Sequence, residues 1–514
     1  AGSAAASTAR AAGPTGSIKV ADGDTHTYSV YQIFTGTYGT DGSLGNVEAG
    51  KNFNTENKAG TSGADLTAAE AAKTVSELGS DASDSEKLET INKFVDMGKD
   101  EYGTVSVNEP LNSVPAGYYL AKDSETVTGD DAATLYIVQV VGNQVVTITR
   151  KADKPTFQKK VKDMNDTDGK PTDWQDSADY DVNDHVPFQL TATLPTDDKD
   201  FAAYKAYKLI FTDNQSKGLT YDDGNGDSSV SSFTVKYVSK DGKKTATLDS
   251  NAYTKVVNQA TETADGSFTI TINDVKSLAL KDSDKADVTV AAGGKFIVEY
   301  TSTLNGKAVI GSTGNPNEAK LQYSNNPNYT GDGASSPTGE TPKDKVIVFT
   351  YQLNVNKTFD QGTPADNDLP KFKLYKKDSA GNYNQVGEEI TLIKGGTKAA
   401  PTYTGSFPRI DDGDYKLVES YTPAGYNTAA DKLFTVTAEH ETLSDNPKLT
   451  SLKIDQNEGD TTKGTVQADV VNQKGFNLPS TGGMGTTILY IAGAAIVLVA
   501  ALGIAFAVRR RNAR

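Results

Sequence analysis

Residues 345–359 read KVIVFTYQLNVNKTF, a run of β-branched and aromatic residues that is typical of a β-strand. Similar short runs, separated by turns rich in Gly, Asp and Asn, recur between residues 153 and 475. Regularly spaced short strands of this kind favour β-sandwiches. We therefore expect a mainly β protein with sandwiches in tandem, in which residues 345–359 lead from one sandwich into the next.

The length of the chain predicts several domains. Its 514 residues correspond to about three domains and a remainder. Some helix is expected in the first domain, because two segments there have the spacing of capping boxes, Thr67–Glu70 and Ser83–Glu86. The predicted divisions are 1–152, 153–350, 351–475 and 476–514.

The composition excludes several functional classes. A formal charge of −16 argues against nucleic acid as a partner, because phosphate binding needs clustered Lys and Arg. The chain contains no cysteine, which excludes disulfides, zinc–thiolate sites and cysteine nucleophiles. The acidic run 163–169 lacks the glycine and the glutamate of a calcium loop, since Asp168 and Trp174 stand in those places. We expect no cofactor and no metal.

Two predicted strands place a lysine in line with apolar residues. Lys159 alternates with Phe157 and Val161, and Lys357 has the same kind of neighbours within residues 355–359. Lysine is rarely fully buried unless it is paired. Taken singly, each is also typical of an edge lysine whose amine reaches solvent.

Each of these two domains also places a carboxylate and an asparagine on an apolar strand face. The first pair is Asp213 with Asn317, where Asn315 remains an alternative, and the second pair is Glu419 with Asn472. Burial lowers the pKa of a lysine and raises that of an acid. The neutral amine can then attack the asparagine carboxamide, which the protonated acid polarises, and expel ammonia to leave an isopeptide bond.

These residues lie within segments that resemble known pilin domains. Residues 153–350, with KKVKD, DWQDSADY, SKGLTY and GNPNEAKLQYSNNPN, resemble the fimbrial isopeptide-forming D2 domain of Gram-positive pilins. Residues 351–475 resemble a CnaB-type domain, whose pattern YxLxExxxPxGY is met at 415–426. The resemblance implies Ig-like sandwiches with the crosslinks Lys159–Asn317, assisted by Asp213, and Lys357–Asn472, assisted by Glu419. Lys19 alternates with its apolar neighbours and points away from them, so we expect no crosslink in the first domain.

The C-terminal segment combines three features in a specific order. Residues 486–508 are uncharged and mostly aliphatic, and at ~1.5 Å per residue they are long enough to cross a bilayer. Arginines follow at 509–511, which predicts that this end stays in the cytoplasm. The pentapeptide before the apolar stretch is Leu478, Pro479, Ser480, Thr481 and Gly482. The combination resembles the LPxTG cell-wall sorting signal, which implies that a sortase cleaves after Thr481 and that the membrane helix serves only before sorting.

In sortase-assembled pilus shafts the threonine is joined to a lysine of the next subunit. The corresponding place here is Lys151, and Lys154 is a nearby alternative. We interpret the chain as the structural shaft subunit of a secreted, wall-anchored pilus involved in adhesion. Its expected partners are sortase, identical subunits and peptidoglycan, and it is not an enzyme. The alternative is a singly anchored adhesin that binds a host protein or glycan through its first domain.

Overall fold

The computed structural model describes residues 13–55, 66–79, 81–82, 84–125, 132, 137–150, 153–223, 232–479 and 484–511. Strands account for 46% of the chain and helices for 11%, which confirms the predicted mainly β class. The strands form pairs of facing sheets with apolar residues between them, as their alternating burial requires.

The N-terminal part contains two sheets and two helices. One sheet has the strand order β5-β1-β8 and the other has the order β3-β2-β6-β7, with β4 on β2. Lys19 is exposed between buried Ile18 and Val20, as expected from the alternation. The elements are β1 (Thr15–Val20), β2 (Tyr28–Tyr38), β3 (Leu44–Ala49), α1 (Ala68–Ser76), α2 (Asp84–Asn92), β4 (Gly103–Val105), β5 (Leu111–Pro115), β6 (Gly117–Asp123), β7 (Ile137–Val141) and β8 (Val145–Ile148).

The predicted capping box of α1 is present. The side chain of Thr67 accepts the backbone N–H of Glu70, and the Glu70 carboxylate accepts the backbone N–H of Thr67. Ser83, the first residue of the second predicted box, lies outside the described residues. Apolar residues of both helices belong to one buried cluster with Phe34 of β2, and α1 lies against β3.

The middle sandwich is the largest unit. Its seven-stranded sheet has the order β10-β23-β21-β12-β17-β16 with β22 on β21, and its six-stranded sheet has the order β15-β14-β20-β11-β9 with β13 on β20. The elements are β9 (Thr156–Val161), β10 (Ser177–Asp179), β11 (His185–Thr193), α3 (Asp198–Ala202), β12 (Leu209–Gln215), β13 (Leu219–Tyr221), β14 (Thr234–Val238), β15 (Thr245–Thr247), β16 (Thr254–Asn258), β17 (Gly266–Ile272), β18 (Leu280–Lys281), β19 (Asp287–Val288), β20 (Lys295–Leu304), β21 (Asn315–Ser324), β22 (Thr338–Glu340) and β23 (Asp344–Phe349).

The third sandwich faces a four-stranded sheet, of order β27-β28-β24-β33, with a six-stranded sheet, of order β26-β25-β29-β30-β31-β32. Its first strand, β24, and its last strand, β33, are parallel neighbours. The elements are β24 (Tyr351–Phe359), β25 (Lys371–Lys377), β26 (Tyr383–Thr391), β27 (Ile393–Gly396), β28 (Pro401–Ile410), β29 (Gly413–Tyr421), β30 (Lys432–His440), β31 (Leu449–Ile454), β32 (Asn457–Glu458) and β33 (Thr465–Asn472).

A single residue joins the middle and third sandwiches. Thr350 separates β23 from β24, so residues 345–359 do pass from one sandwich into the next. The Thr350 hydroxyl donates to the carbonyl of Tyr180, at 2.8 Å, and lies 3.2 Å from that of Ile410. These contacts on both sides restrict the bending of the connection.

The C-terminal helix α4 covers Met484–Arg511. Its stretch Tyr490–Arg510 has a mean hydropathy of 2.7 and is long and apolar enough to span a membrane. None of that stretch is buried against the rest of the protein, in contrast to the core helix of a soluble domain.

Candidate functional site

Lys159 projects from β9, the last strand of the six-stranded sheet, into the core of the middle sandwich. Its side chain is 0% exposed, and Nζ lies 2.5 Å from Oδ2 of Asp213 and 2.7 Å from the hydroxyl of Tyr300. The rings of Phe188 and Tyr300 are 5.0 and 5.1 Å from the same nitrogen. The strand alternation therefore placed this lysine correctly, and its amine does not reach solvent.

Asp213 and Asn317 face Lys159 from the opposite sheet, on the adjacent strands β12 and β21. Oδ1 of Asp213 accepts the Tyr221 hydroxyl at 2.7 Å, and Oδ2 accepts the Tyr300 hydroxyl at 2.8 Å. Nδ2 of Asn317 donates to the Tyr300 oxygen at 2.9 Å and to Gln215 at 3.4 Å. Its carbonyl oxygen is buried and has no hydrogen-bond partner among the described residues.

Asn315 is also buried but belongs to a different set of contacts. Its Oδ1 accepts a hydrogen bond from the backbone N–H of Val309 at 2.8 Å, and its Nδ2 donates to the backbone carbonyl of the same residue at 3.0 Å. Nδ2 also donates to the carbonyl of Val348 at 3.1 Å. Since both ends of this amide serve the backbone, the geometry favours Asn317, which shares the Tyr300 hydroxyl with Lys159.

The third sandwich contains a second buried group of the same chemical types. Nζ of Lys357 lies 2.5 Å from Oε2 of Glu419, and both side chains are 0% exposed. Nδ2 of Asn472 donates to Oε1 of the same carboxylate at 2.8 Å. Oε1 also accepts the hydroxyl of Thr422 and the backbone N–H of Ala429. The lysine and the asparagine thus meet on opposite oxygens of one carboxylate.

Strand register explains this meeting. On the parallel strands β24 and β33, Lys357 pairs with Val470 and Phe359 pairs with Asn472. Side chains two residues apart share a face, so Lys357 and Asn472 point into the core as diagonal neighbours. Glu419 reaches them from β29 in the facing sheet.

Burial lowers the pKa of both lysines, which is the direction that nucleophilic attack by a lysine amine requires. Removal from water lowers the pKa of Lys159, and Asp213 offsets part of this effect. Burial likewise lowers the pKa of Lys357, with Glu419 opposing. An ammonium group in such a place gives up its proton more readily than a lysine in water, which makes the amine available as a nucleophile.

Lys376 is a third buried lysine, which we did not identify from the sequence. It alternates with Phe372 and Leu374 on β25, and this period-2 pattern could have revealed it. Its amine contacts the carboxylates of Asp166, at 2.8 Å, and Asp181. Burial lowers the pKa of Lys376, but the surrounding carboxylates outweigh burial and raise it above the usual value. Lys376 therefore remains an ammonium ion and bridges the sandwiches as a salt bridge.

The carboxylates around Lys376 form an acidic cluster at the junction between the sandwiches. Among the residues that the structure describes, three groups have ligand atoms within 4.8 Å of one another and are therefore close enough to share a cation. Burial and mutual repulsion raise the pKa of Asp184 and of Asp412 to about 7 each. The three groups are Asp163 with Asp179 and His440, Asp166 with Asp181, Asp184 and Asp411, and Asp179 with Asp411 and Asp412.

We expect the thermal stability of the chain to increase as the pH falls from 8 to about 5. Carboxyls with raised pKa values bind more protons in the folded state than in the unfolded state, so stability is lost as the pH rises through this window. Calorimetry in the presence of a chelator measures the effect. Replacing both groups, by Asp184→Asn and Asp412→Asn, should make the thermal stability depend less on pH. Stability that rises with pH over this range contradicts the assignment.

The residues predicted for sorting and joining are only partly described. Leu478 and Pro479 are exposed, with Leu478 84% accessible. Lys154 lines a cavity of about 590 Å³, together with Lys160 and Asp344. The predicted residues that lie outside the described part are Lys151, Ser480, Thr481 and Gly482.

Comparison with protein families identifies the C-terminal segment. A protein-family model that is described as the LPXTG cell wall anchor motif matches residues 470–513. The chain carries a cell-wall anchor. This motif and the apolar helix α4 confirm the predicted location at the cell surface.

Relatives of the anchored chain are surface proteins and pilins. The trypsin-resistant surface T6 protein of Streptococcus pyogenes serotype M6 is 25% identical over 429 residues, 71% of each chain. Among solved structures, the T6 backbone pilin of the same serotype covers 91% of this chain and 100% of its own, with 17% identity and a TM-score of 0.48. The full-length major pilin SpaD of Corynebacterium diphtheriae covers 90% and 98%, with 16% identity and a TM-score of 0.43. The anchor and the T6 relative confirm the predicted resemblance to sortase-anchored pilins.

Proposed function

We propose that the chain is the shaft subunit of a covalently polymerised, wall-anchored pilus, stabilised by one lysine–asparagine crosslink in each of two sandwiches. The observation that carries this proposal is the pair of buried lysines at 159 and 357. A buried ion pair contributes little stability compared with well-packed apolar residues. Two such pairs, each beside an asparagine carboxamide in an apolar core, therefore favour a chemical role.

The proposed reaction is the same at both sites. The lysine ammonium transfers a proton to the carboxylate, and the neutral Nζ attacks Cγ of the asparagine. The Nζ–Cγ bond forms and the Cγ–Nδ2 bond breaks. The leaving nitrogen takes up the two protons that the lysine loses and departs as ammonia plus one proton. The protonated acid polarises the asparagine carbonyl, whose buried oxygen has no partner among the described residues at either site.

The two crosslinks would have different mechanical roles. Lys159 and Asn317 belong to facing sheets, so their bond fastens the two layers of the middle sandwich together. Lys357 and Asn472 lie on the first and last strands of the third sandwich, so their bond lets tension bypass the strands between them. The crosslinks thus supply the restraint that disulfides provide in other extracellular proteins, and the chain contains no cysteine.

The domain assignment follows from this scheme. We assign residues 153–350 and 351–475 to the two crosslinked domains, residues 1–152 to the first domain, and residues 476–514 to the sorting signal. Sortase would join Thr481 to Lys151 of the next subunit and finally to peptidoglycan. Lys154 is the alternative acceptor.

Immunoblots of wall extracts test the polymer. We expect a ladder of high-mass species that survives boiling in detergent, because every link in the shaft is an amide bond. Lys151→Arg should collapse the ladder to single subunits, and Lys154→Arg is the matched control that should leave it intact. A ladder that persists in Lys151→Arg and collapses in Lys154→Arg identifies Lys154 as the acceptor lysine. One sharp band from the unchanged chain favours the singly anchored adhesin instead.

A further inference from the structure

The hydroxyl of Tyr300 contacts every reacting group of the middle sandwich. It accepts a hydrogen bond from Nζ of Lys159 at 2.7 Å and another from Nδ2 of Asn317 at 2.9 Å. It donates to Oδ2 of Asp213 at 2.8 Å. One donor and two acceptors are the full capacity of a hydroxyl, so all three positions are used by the groups that would react.

We propose that Tyr300 is a catalytic residue of the middle-sandwich crosslink and relays a proton to the departing nitrogen of Asn317. This inference rests on the proposed crosslinking function and deepens it. The structure provides the route, since the phenol oxygen lies within 3 Å of both the acid and the leaving nitrogen.

The proton balance of the step is complete. Lys159 first gives one proton to Asp213 and attacks Cγ of Asn317 as the neutral amine. As Cγ–Nδ2 breaks, the Tyr300 hydroxyl gives its proton to Nδ2 and takes the one held by Asp213. The attacking Nζ loses a second proton to the Asp213 carboxylate, which passes it to Nδ2 by the same route. The products are the secondary amide and one ammonium ion, which carries both protons taken from Lys159, and Asp213 and Tyr300 return to their starting states.

The third sandwich shows why only one site would need a relay. There Nδ2 of Asn472 lies 2.8 Å from the carboxylate of Glu419, which can protonate it directly. In the middle sandwich the acid is an aspartate, shorter by one methylene. Nδ2 of Asn317 donates hydrogen bonds to Tyr300 and Gln215 rather than to Asp213. Tyr300 bridges the gap that the shorter acid leaves.

The surroundings hold Tyr300 in place and keep it protonated. Its ring stacks on Phe188 at 5.2 Å and on Phe233 at 5.3 Å, and it meets the edge of Phe268 at 5.0 Å. Burial, reinforced by Asp213, raises the pKa of Tyr300 above its ordinary value. A phenol that stays neutral can give one proton while it accepts another, which is what a relay requires.

Tyr300→Phe in the full chain tests the relay. The chain is made in a cell-free system, and the middle crosslink is followed over time by mass spectrometry of the branched Lys159–Asn317 peptide. We expect crosslink formation to slow about 100-fold, the scale of general acid–base catalysis. The Lys357–Asn472 bond of the same molecules should form at its usual rate, which shows that the third sandwich folds and that the defect is confined to the middle sandwich.

Tyr221→Phe is the matched control, because it also removes a hydroxyl from Asp213 in the same core. The Tyr221 hydroxyl donates to Oδ1 of Asp213, whereas Lys159 donates to Oδ2. This variant measures what the loss of one hydrogen bond to Asp213 does by itself, and it should slow crosslinking much less than Tyr300→Phe does. Equal slowing of the two variants overturns the relay, because both would then act only by supporting Asp213. A wild-type rate in Tyr300→Phe overturns it as well.

Two further measurements separate the remaining outcomes. If Tyr300→Phe does not fold, 3-fluorotyrosine in place of Tyr300 keeps the ring and the hydroxyl but makes the phenol more acidic. The relay predicts a changed rate and pH profile for that chain, and an unchanged rate and profile overturn it. If the wild-type chain lacks the Lys159–Asn317 bond, the proposed crosslink itself is wrong. If only the Tyr300 variants are defective, the proposed crosslink is retained.

Discussion

The intact mass of the chain is expected to fall short of the mass calculated from its sequence by two molecules of ammonia, and Glu419→Gln is expected to restore one of them. Without its carboxylate, the third sandwich has no base to take the proton of Lys357, so the amine stays charged and cannot attack Asn472. The middle crosslink should still form, because it depends on Asp213 and lies in another core.

The same substitution should cause a large loss of stability. A crosslink that closes the loop from Lys357 to Asn472 restrains the unfolded chain by about 5 kcal/mol on the chain-entropy estimate, whose mechanism is model-dependent. For a domain of this size the loss corresponds to a decrease in Tm of roughly 20 °C. Calorimetry and limited proteolysis of the third sandwich measure it.

Glu389→Gln is the matched control for this experiment. Glu389 is exposed on β26, and the same chemical change there should alter neither the ammonia count nor the Tm. A Glu419→Gln chain that still lacks two ammonia molecules removes Glu419 from its proposed role. A wild-type chain at full sequence mass removes both crosslinks.

Under tension, the third sandwich is expected to give almost no extension, whereas its Glu419→Gln variant should release roughly 400 Å at ~3.4 Å per residue. In the intact domain the force enters near residue 351, crosses the Lys357–Asn472 bond to the neighbouring strand, and leaves near residue 475. The strands between these points carry no tension. In the variant the same force pulls β24 and β33 apart and unfolds the whole domain.

The middle sandwich should behave differently under the same force. Its proposed crosslink would end at Asn317, so residues 318–350, which include β23, would lie outside the closed loop. Wild-type chains should therefore release about 110 Å from this segment at ~3.4 Å per residue. Single-molecule pulling from residue 153 to residue 475 distinguishes the two lengths. A wild-type record that contains the full 400 Å step of the third sandwich would falsify the bypass.

Sequence patterns were sufficient to select most of the candidate residues. Period-2 alternation placed Lys159, Lys357, Asp213 and Glu419 on buried faces, because a strand directs every second side chain to the core whatever its partner strand is. The same pattern contained Lys376, which we overlooked. Tyr300 could not have been singled out in this way, since it resembles the many other aromatic residues of the core until its hydroxyl contacts are known.

Features that depend on neighbouring residues can be read from the sequence alone. The cell-wall anchor follows from a pentapeptide, an apolar segment and arginines that are contiguous in the chain, and the buried face of each strand follows from its own alternation. Which buried groups meet depends on the folded arrangement of the strands. Asn317 rather than Asn315 shares Tyr300 with Lys159, and one candidate lysine–asparagine pair spans two sheets while the other lies on parallel neighbours. The physical reason is that alternation determines the face on which a side chain lies, whereas its partner depends on the pairing and register of strands far apart in the chain.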